Sequence, residues 1–203
     1  MIETILVISF SYLCGSIPFG FILTKRFYGQ DIRTIGSGNI GATNVLRTGN
    51  KVLAITTLML DVLKGYIPVI ITQYFFQQLV ELSALTAFLG HIFPIWLKFK
   101  GGKGVATYLG ILFALSINLT VLFIFTWLIV SLIFKYSSVS SMFSSLTVLV
   151  VSFIKNNAIK AIDPNSINSN LELLLFIFFI LIIFTHRKNI SNLKNNQEKK
   201  IKI

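Results

Sequence analysis

The sequence predicts an all-α polytopic membrane protein of about seven transmembrane helices, with its N-terminus outside and its C-terminus cytoplasmic. Three observations lead there. The 203 residues are 54% hydrophobic and only 12% charged, where a soluble domain carries about 25% charge. Apolar runs of roughly 20 residues, the length that crosses a bilayer, recur along the whole chain. The bases gather in the linkers between those runs, as charge does when it sets membrane orientation. That placing also argues against a nucleic-acid partner, despite a net charge of +11. A single domain over residues 1–203 is expected, and the one cysteine, Cys14, excludes an internal disulfide.

The first run covers about residues 4–24. Glu3 precedes it, Gly15, Pro18 and Gly20 lie within it, and no small-residue cleavage site follows, so it reads as a retained span. Gly15 to Gly20 should loosen or kink its lower half. The linker 25–51 carries Lys25, Arg26, Arg33, Arg47 and Lys51 against one acid, Asp31. Span two covers about 52–76 and contains Asp61 and Lys64. Span three covers 82–97 and contains Gly90, His91 and Pro94, and a basic linker follows over 98–103. The apolar stretch from Gly104 to Ile154 is too long for one span. Cuts at Ser116 to Asn118 and at Lys135 to Ser141 give spans of 104–117, 119–135 and 140–154. Asp163-Pro164 signals a loop. Span seven covers about 171–185, and a basic, solvated tail closes the chain. With seven spans, fifteen of the 18 Lys and Arg residues fall on the side of linker 25–51, and that side is the cytoplasm.

Two glycine-rich stretches stand out against this background. The first runs from Gly36 to Arg47 (GSGNIGATNVLR), and the second is Lys98 to Gly104 (KFKGGKG). Gly36, Gly38 and Gly41 satisfy G-x-G-x-x-G, but the preceding segment is short and polar and the acid about 20 residues on, Asp61, lies in a span. A dinucleotide fold is therefore rejected. The second stretch is not a Walker A loop, because Gly104 follows Lys103 where Ser or Thr is needed. Both read as anion sites. Ser37 is expected to cap a helix starting near Gly38, with free amides at its positive end and Asn39, Thr43 and Arg47 along one face. Lys103, between glycines, suits a phosphate, whereas Lys98 and Lys100 suit lipid headgroups. A flexible solvated turn is the plain alternative for the first stretch, and a juxtamembrane base is the alternative for Lys103.

The remaining polar residues read more simply. Asp61 and Lys64, three apart in a span, should face the interior and neutralise each other, a proton relay being the sharper alternative. His91 reads as a satisfied buried histidine rather than a base. No metal-ligand cluster or nucleophile elbow is visible. Besides an enzyme, a transporter of a phosphorylated solute, a lipid phosphatase and a plain scaffold are open readings. The transporter would want its site at mid-bilayer, and the phosphatase would want a nucleophile or a metal.

The chain resembles the bacterial acyl-phosphate:glycerol-3-phosphate acyltransferases, the PlsY family, over essentially its whole length. Three blocks carry the resemblance: Gly15 to Gly20, Gly36 to Arg47, and Gly90 to Thr107 (GHIFPIWLKFKGGKGVAT). The tail is similar to the family's closing motif at His186, Arg187, Asn189, Ile190, Leu193 and Glu198, with Asn196 where that motif usually has glycine. The resemblance implies a single integral-membrane acyltransferase domain. It implies acyl transfer from acyl phosphate to the 1-hydroxyl of glycerol 3-phosphate, giving lysophosphatidic acid and inorganic phosphate, without metal or cofactor. Ser37, Lys103, Arg47, His186 and Asn189 would be catalytic. Ser37, Gly38, Asn39, Gly41, Thr43, Asn44, Gly101 and Gly102 would bind acyl phosphate. Ser37, Arg47, Lys103, His186 and Asn189 would bind glycerol 3-phosphate. The implied partners are those two substrates, membrane lipid, and a functional link to the enzyme that makes acyl phosphate.

Overall fold

The computed structural model describes residues 1–162 and 170–201, and every regular element among them is helical. The loop expected at Asp163-Pro164 lies outside the described residues. The chain divides into two compact units, Met1–Leu115 and Ser116–Ile203.

In the first unit α1 (Ile2–Ser16) and α2 (Phe19–Tyr28) form the first span. They part at Ile17-Pro18, as the sequence predicts. Proline has no amide proton and biases its predecessor toward extended backbone, and Ile17 has φ −62° and ψ 117°. A polar loop then leads through α3 (Ala42–Val45) to α4 (Lys51–Phe75). Asn50 caps α4, its side chain accepting the Leu53 amide at 3.0 Å. The helices α5 (Val80–Ile92) and α6 (Val105–Leu115) follow, joined by the second glycine-rich stretch.

Lipid offers no hydrophobic drive for helix pairing, so close backbone approach between small residues takes its place. On α1 and α5 the Ser11 and Ser83 hydroxyls meet at 2.8 Å. A Cβ at Gly15 would land on the Ala87 carbonyl, and one at Gly90 on the Tyr12 carbonyl. On α4 and α6, Gly65 abuts Thr107 and Gly110 abuts Val62 in the same way.

The second unit holds α7 (Ile117–Phe134), α8 (Ser137–Ile162), α9 (Leu171–Thr185) and α10 (Arg187–Lys194). Ser116 caps α7, and Lys135 ends it in the left-handed region at φ 60°. Ser140, Ser141, Ser144 and Ser145 are buried on α8, with hydroxyls donated to carbonyls one turn earlier. The Trp127 indole N–H donates to Ser141 Oγ at 3.2 Å, joining α7 to α8.

Among the described residues, five helical stretches are long and apolar enough to cross a membrane, or six if α9 and α10, bent by 53°, count as one, and α6 is shorter. The protein is thus a multi-pass membrane protein, and each apolar segment falls where the sequence put it. One boundary differs. The helix α8 runs to Ile162 rather than stopping at 154, because Lys155, Asn156 and Asn157 bring polarity but no helix breaker.

Replacing Gly15 by Val should lower the melting midpoint in detergent, since overpacking costs about 1–3 kcal/mol and here the obstacle is backbone. Leu6→Val, at a residue 57% exposed, should melt with the wild type. Equal midpoints for both variants would show that α1 and α5 do not meet at Gly15.

Candidate functional site

The polar loop is built around one buried side chain. Asn44 is 2% exposed. Its Nδ2 donates to the carbonyls of Ile32 (3.1 Å), Ile35 (2.9 Å) and Asn39 (2.8 Å), and its Oδ1 accepts the Ser37 amide at 2.9 Å. Gly36 and Gly38 take φ +57° and +72°, a region glycine enters freely. A Cβ at Gly36 would stand 2.8 Å from Arg47 Cδ and 3.3 Å from its Nη1, so the arginine side chain lies across the residue before Ser37. Ser37, Thr43 and Arg47 are exposed.

This arrangement corrects the expected helix cap. No helix starts at Gly38, because positive φ at Gly36 and Gly38 turns the chain instead; α3 begins at Ala42 and is a single turn. Asn39, Thr43 and Arg47 therefore do not share one helical face. Three loop amides are also spent at home: Ser37 on Asn44, Gly38 on the Ile35 carbonyl, and Gly41 on Asn39 Oδ1. The side chains of Ser37, Thr43 and Arg47 are exposed donors of this loop. The loop's acid is already engaged. Asp31 takes the Arg33 amide and guanidinium, with Nη2–Oδ2 at 2.6 Å. That hydrogen bonding holds the Asp31 carboxyl below the ordinary carboxylate range and raises the arginine in turn.

The second stretch is a strap folded back over the end of α5. The Gly101 and Gly102 amides donate to the carbonyls of Ile92 and His91, each at 3.2 Å. The reversal passes through Lys98 and Phe99, both left-handed at φ 52° and 60°. Two such residues in succession mark stored strain, which collects at functional sites. Glycine is required at 102 and 104, where a Cβ would meet the His91 ring and the Phe88 ring. His91 is buried, with Nδ1 3.0 Å from the Thr107 hydroxyl. It is the satisfied histidine that the sequence suggested, and it braces the strap that presents Lys103.

The loop rests on an apolar cluster that the residue before the strap shares. Ile32, Ile40 and Val45 from around the loop pack with Leu97 from the approach to the strap, and with Leu53 and Ala54 of α4. The loop that carries Ser37 and Arg47 therefore packs against the segment that leads into the strap. Beside them an open apolar groove of about 380 Å³ is lined by Ile17, Pro18, Phe21, Ile22, Trp96 and Leu97. The Trp96 indole N–H is fixed on Ser16 Oγ at 2.8 Å.

His186 and Asn189 stand in the second unit, at the α9–α10 bend. His186 is 1% exposed, its Nδ1 2.8 Å from the Ile182 carbonyl. Asn189 donates to Glu198 Oε1 at 2.6 Å, which also accepts from Ser138 Oγ at 3.0 Å. The tail is exposed over most of its length, as the sequence suggests, but it is also tied down at two points. Glu198 ties it to α8, and the Ile201 amide donates to the Lys135 carbonyl at 2.7 Å. Asn196 sits at φ 56°. The Asn196 amide reaches the Leu193 carbonyl and the Gln197 amide that of Asn192, the pairing that closes a helix with a left-handed residue. Asparagine enters that region more readily than other residues with a side chain, so the turn survives without glycine.

The chain matches the family described as "Glycerol-3-phosphate acyltransferase" over residues 5–196. A protein of that name from Pelagibacter ubique (strain HTCC1062) is 52% identical over 201 residues, covering 99% of each chain. One from Wolbachia pipientis wMel is 47% identical over 201 residues, covering 98% of each. The crystal structure of PlsY, an integral membrane glycerol 3-phosphate acyltransferase, in its glycerol 3-phosphate form is similar at TM-score 0.89 and 33% identity, over 98% of this chain and 96% of that one. The lysophosphatidic acid form gives TM-score 0.85 and 32% identity, over 98% and 95%.

Asn44→Asp should destabilise the protein and abolish the site, because it strips a donor from three carbonyls. Each orphaned buried group costs about 1–3 kcal/mol, read as a lower melting midpoint in detergent. Asn196→Gly should instead raise the midpoint slightly, by up to about 1 kcal/mol of relieved backbone strain. Asn196→Gly melting below the wild type would contradict the role given to that turn.

Proposed function

The chain belongs to the glycerol-3-phosphate acyltransferase family, and we propose that it transfers a fatty acyl group from acyl phosphate to the 1-hydroxyl of glycerol 3-phosphate. The products are lysophosphatidic acid and inorganic phosphate, in the first acylation step of bacterial phospholipid synthesis. One observation carries the reading: the first glycine-rich stretch and the residue leading into the second share an apolar cluster, and Leu97 of that cluster and Phe21 packed against it also line an open apolar groove. Both substrates carry phosphate, so the site needs donors and few acids. The acyl chain needs an apolar exit, and the groove lined by Phe21, Ile22 and Trp96 offers one.

The step breaks the bond between the acyl carbon and the bridging phosphate oxygen, and forms an ester to the glycerol oxygen. The hydroxyl proton leaves with the departing phosphate, so no side-chain base is required. Ser37 and Lys103 offset charge that develops on the carbonyl oxygen and on the leaving phosphate. Arg47 and Lys103 bind the glycerol phosphate, and the family resemblance gives His186 and Asn189 the same ligand. Gly38, Asn39, Gly41, Thr43, Gly101 and Gly102 shape the acyl-phosphate site, with Asn44 as its frame. Holding two substrates in line supplies much of the rate, because the mixed anhydride is already activated.

In this reading the chain crosses the bacterial inner membrane seven times, with the N-terminus outside and both glycine-rich stretches at the cytoplasmic face, and the gathering of Lys and Arg in the linkers supports it. There the protein would receive its donor from the enzyme that makes acyl phosphate. The whole chain works as one acyltransferase domain.

Purified protein should form lysophosphatidic acid from acyl phosphate and not from acyl-CoA or acyl carrier protein. Ser37→Ala, Arg47→Ala and Lys103→Ala should each lower turnover about a hundredfold or more, the size of effect seen when one preorganised donor is lost. Full activity in Lys103→Ala, or equal use of acyl-CoA, would contradict the reading.

A further inference from the structure

Asp61 and Lys64 are a charged pair that the proposed reaction does not use. They lie one turn apart on α4, with Lys64 Nζ 2.8 Å from Asp61 Oδ1 and both side chains 3% exposed. Charges inside a span are costly. Exchanging a buried pair for apolar residues is often neutral or stabilising, so stability alone does not account for it.

Lys64 has a second contact. Its Nζ donates to the Ile17 carbonyl at 2.7 Å, at the point where Pro18 interrupts the first span. It also lies 5.7 Å from the centre of the Phe19 ring, the first residue of α2. The ammonium thus grips both sides of the break. One residue further on, Gly20 is pressed against the Ile40 carbonyl of the polar loop, where a Cβ would collide. Phe21 and Leu23 of α2 pack on the cluster that contains Ile32, Ile40 and Val45. The helix α2 is therefore a wall of the polar loop, and the direction in which it leaves the break fixes where that wall stands.

We propose that Lys64, neutralised by Asp61, is a positioning residue that clamps the break in the first span, so that α2 holds the polar loop, with Ser37 and Arg47, in place for substrate phosphate. The inference rests on the acyl-transfer reading and assigns no contact with substrate to either residue.

Two double variants of the full-length protein test it. Asp61→Asn with Lys64→Met removes both charges together and leaves no donor for Ile17. Asp61→Asn with Lys64→Gln removes the charges but keeps an N–H donor. The Met variant should keep a melting midpoint close to wild type while its KM for glycerol 3-phosphate rises about ten- to a hundredfold, as small misplacements remote from the chemistry do. Its kcat should fall by less than KM rises, and the Gln variant should recover part of the KM. A purely structural role would lower the amount of active protein and leave KM alone. An unchanged KM in the Met variant, or its failure to fold, overturns the proposal. Wild-type protein that forms no lysophosphatidic acid in the same assay counts against acyl transfer instead. The clamp is then read from calorimetric binding of glycerol 3-phosphate to the same proteins, where the Met variant should bind more weakly than wild type and equal affinity would overturn it.

Discussion

The carboxamide of Asn44 serves three loop carbonyls and one loop amide at once, from a position sealed off from solvent. A stretch with three glycines in twelve residues has little reason of its own to hold one shape, since glycine loses the most freedom on ordering. The amide supplies that reason. With its backbone groups satisfied internally, the loop can turn Ser37, Thr43 and Arg47 outward and still rest on apolar residues beneath. The same logic governs the strap, where the end of α5 takes the Gly101 and Gly102 amides and the His91 ring fills the space a side chain at 102 would need.

Both devices solve one problem. A glycine-rich segment in an apolar surround must expose polar side chains without leaving backbone groups orphaned. In this chain the backbone's needs are met first and locally, by Asn44, Asn39 and the carbonyls of His91 and Ile92. On the loop, the side chains of Ser37, Thr43 and Arg47 are then left exposed. The apolar scaffold beneath is correspondingly tight. Gly15, Gly65, Gly90 and Gly110 let helix backbones approach to contact, which fixes where the loop and the strap emerge.

Much of this was legible in the residues. The apolar runs gave the helices nearly to their ends, Pro18 gave the break, and the internal charges of α4 pair as their three-residue spacing implies. What escaped was set by contacts distant in sequence or by backbone conformation. Asn44 read as one donor among several, because nothing in GSGNIGATNVLR distinguishes an asparagine that faces a ligand from one that faces its own loop. The expected cap at Ser37 failed because positive φ at Gly36 and Gly38 spends those residues on a turn. The strained pair Lys98-Phe99 carries no sequence signature, since neither residue favours the left-handed region. The Lys and Asn residues of the tail are exposed as expected, but the tether at Glu198 could not be read, because its partners lie on α8 and α10.

The central claim is that the protein's basic loops hold two phosphate-bearing substrates for direct acyl transfer. The most direct measurement follows inorganic phosphate released from acyl phosphate by the purified protein, with and without glycerol 3-phosphate. The account predicts release only when glycerol 3-phosphate is present, in step with lysophosphatidic acid, one molecule for one. Release at the same rate without glycerol 3-phosphate would mark a phosphatase and contradict it.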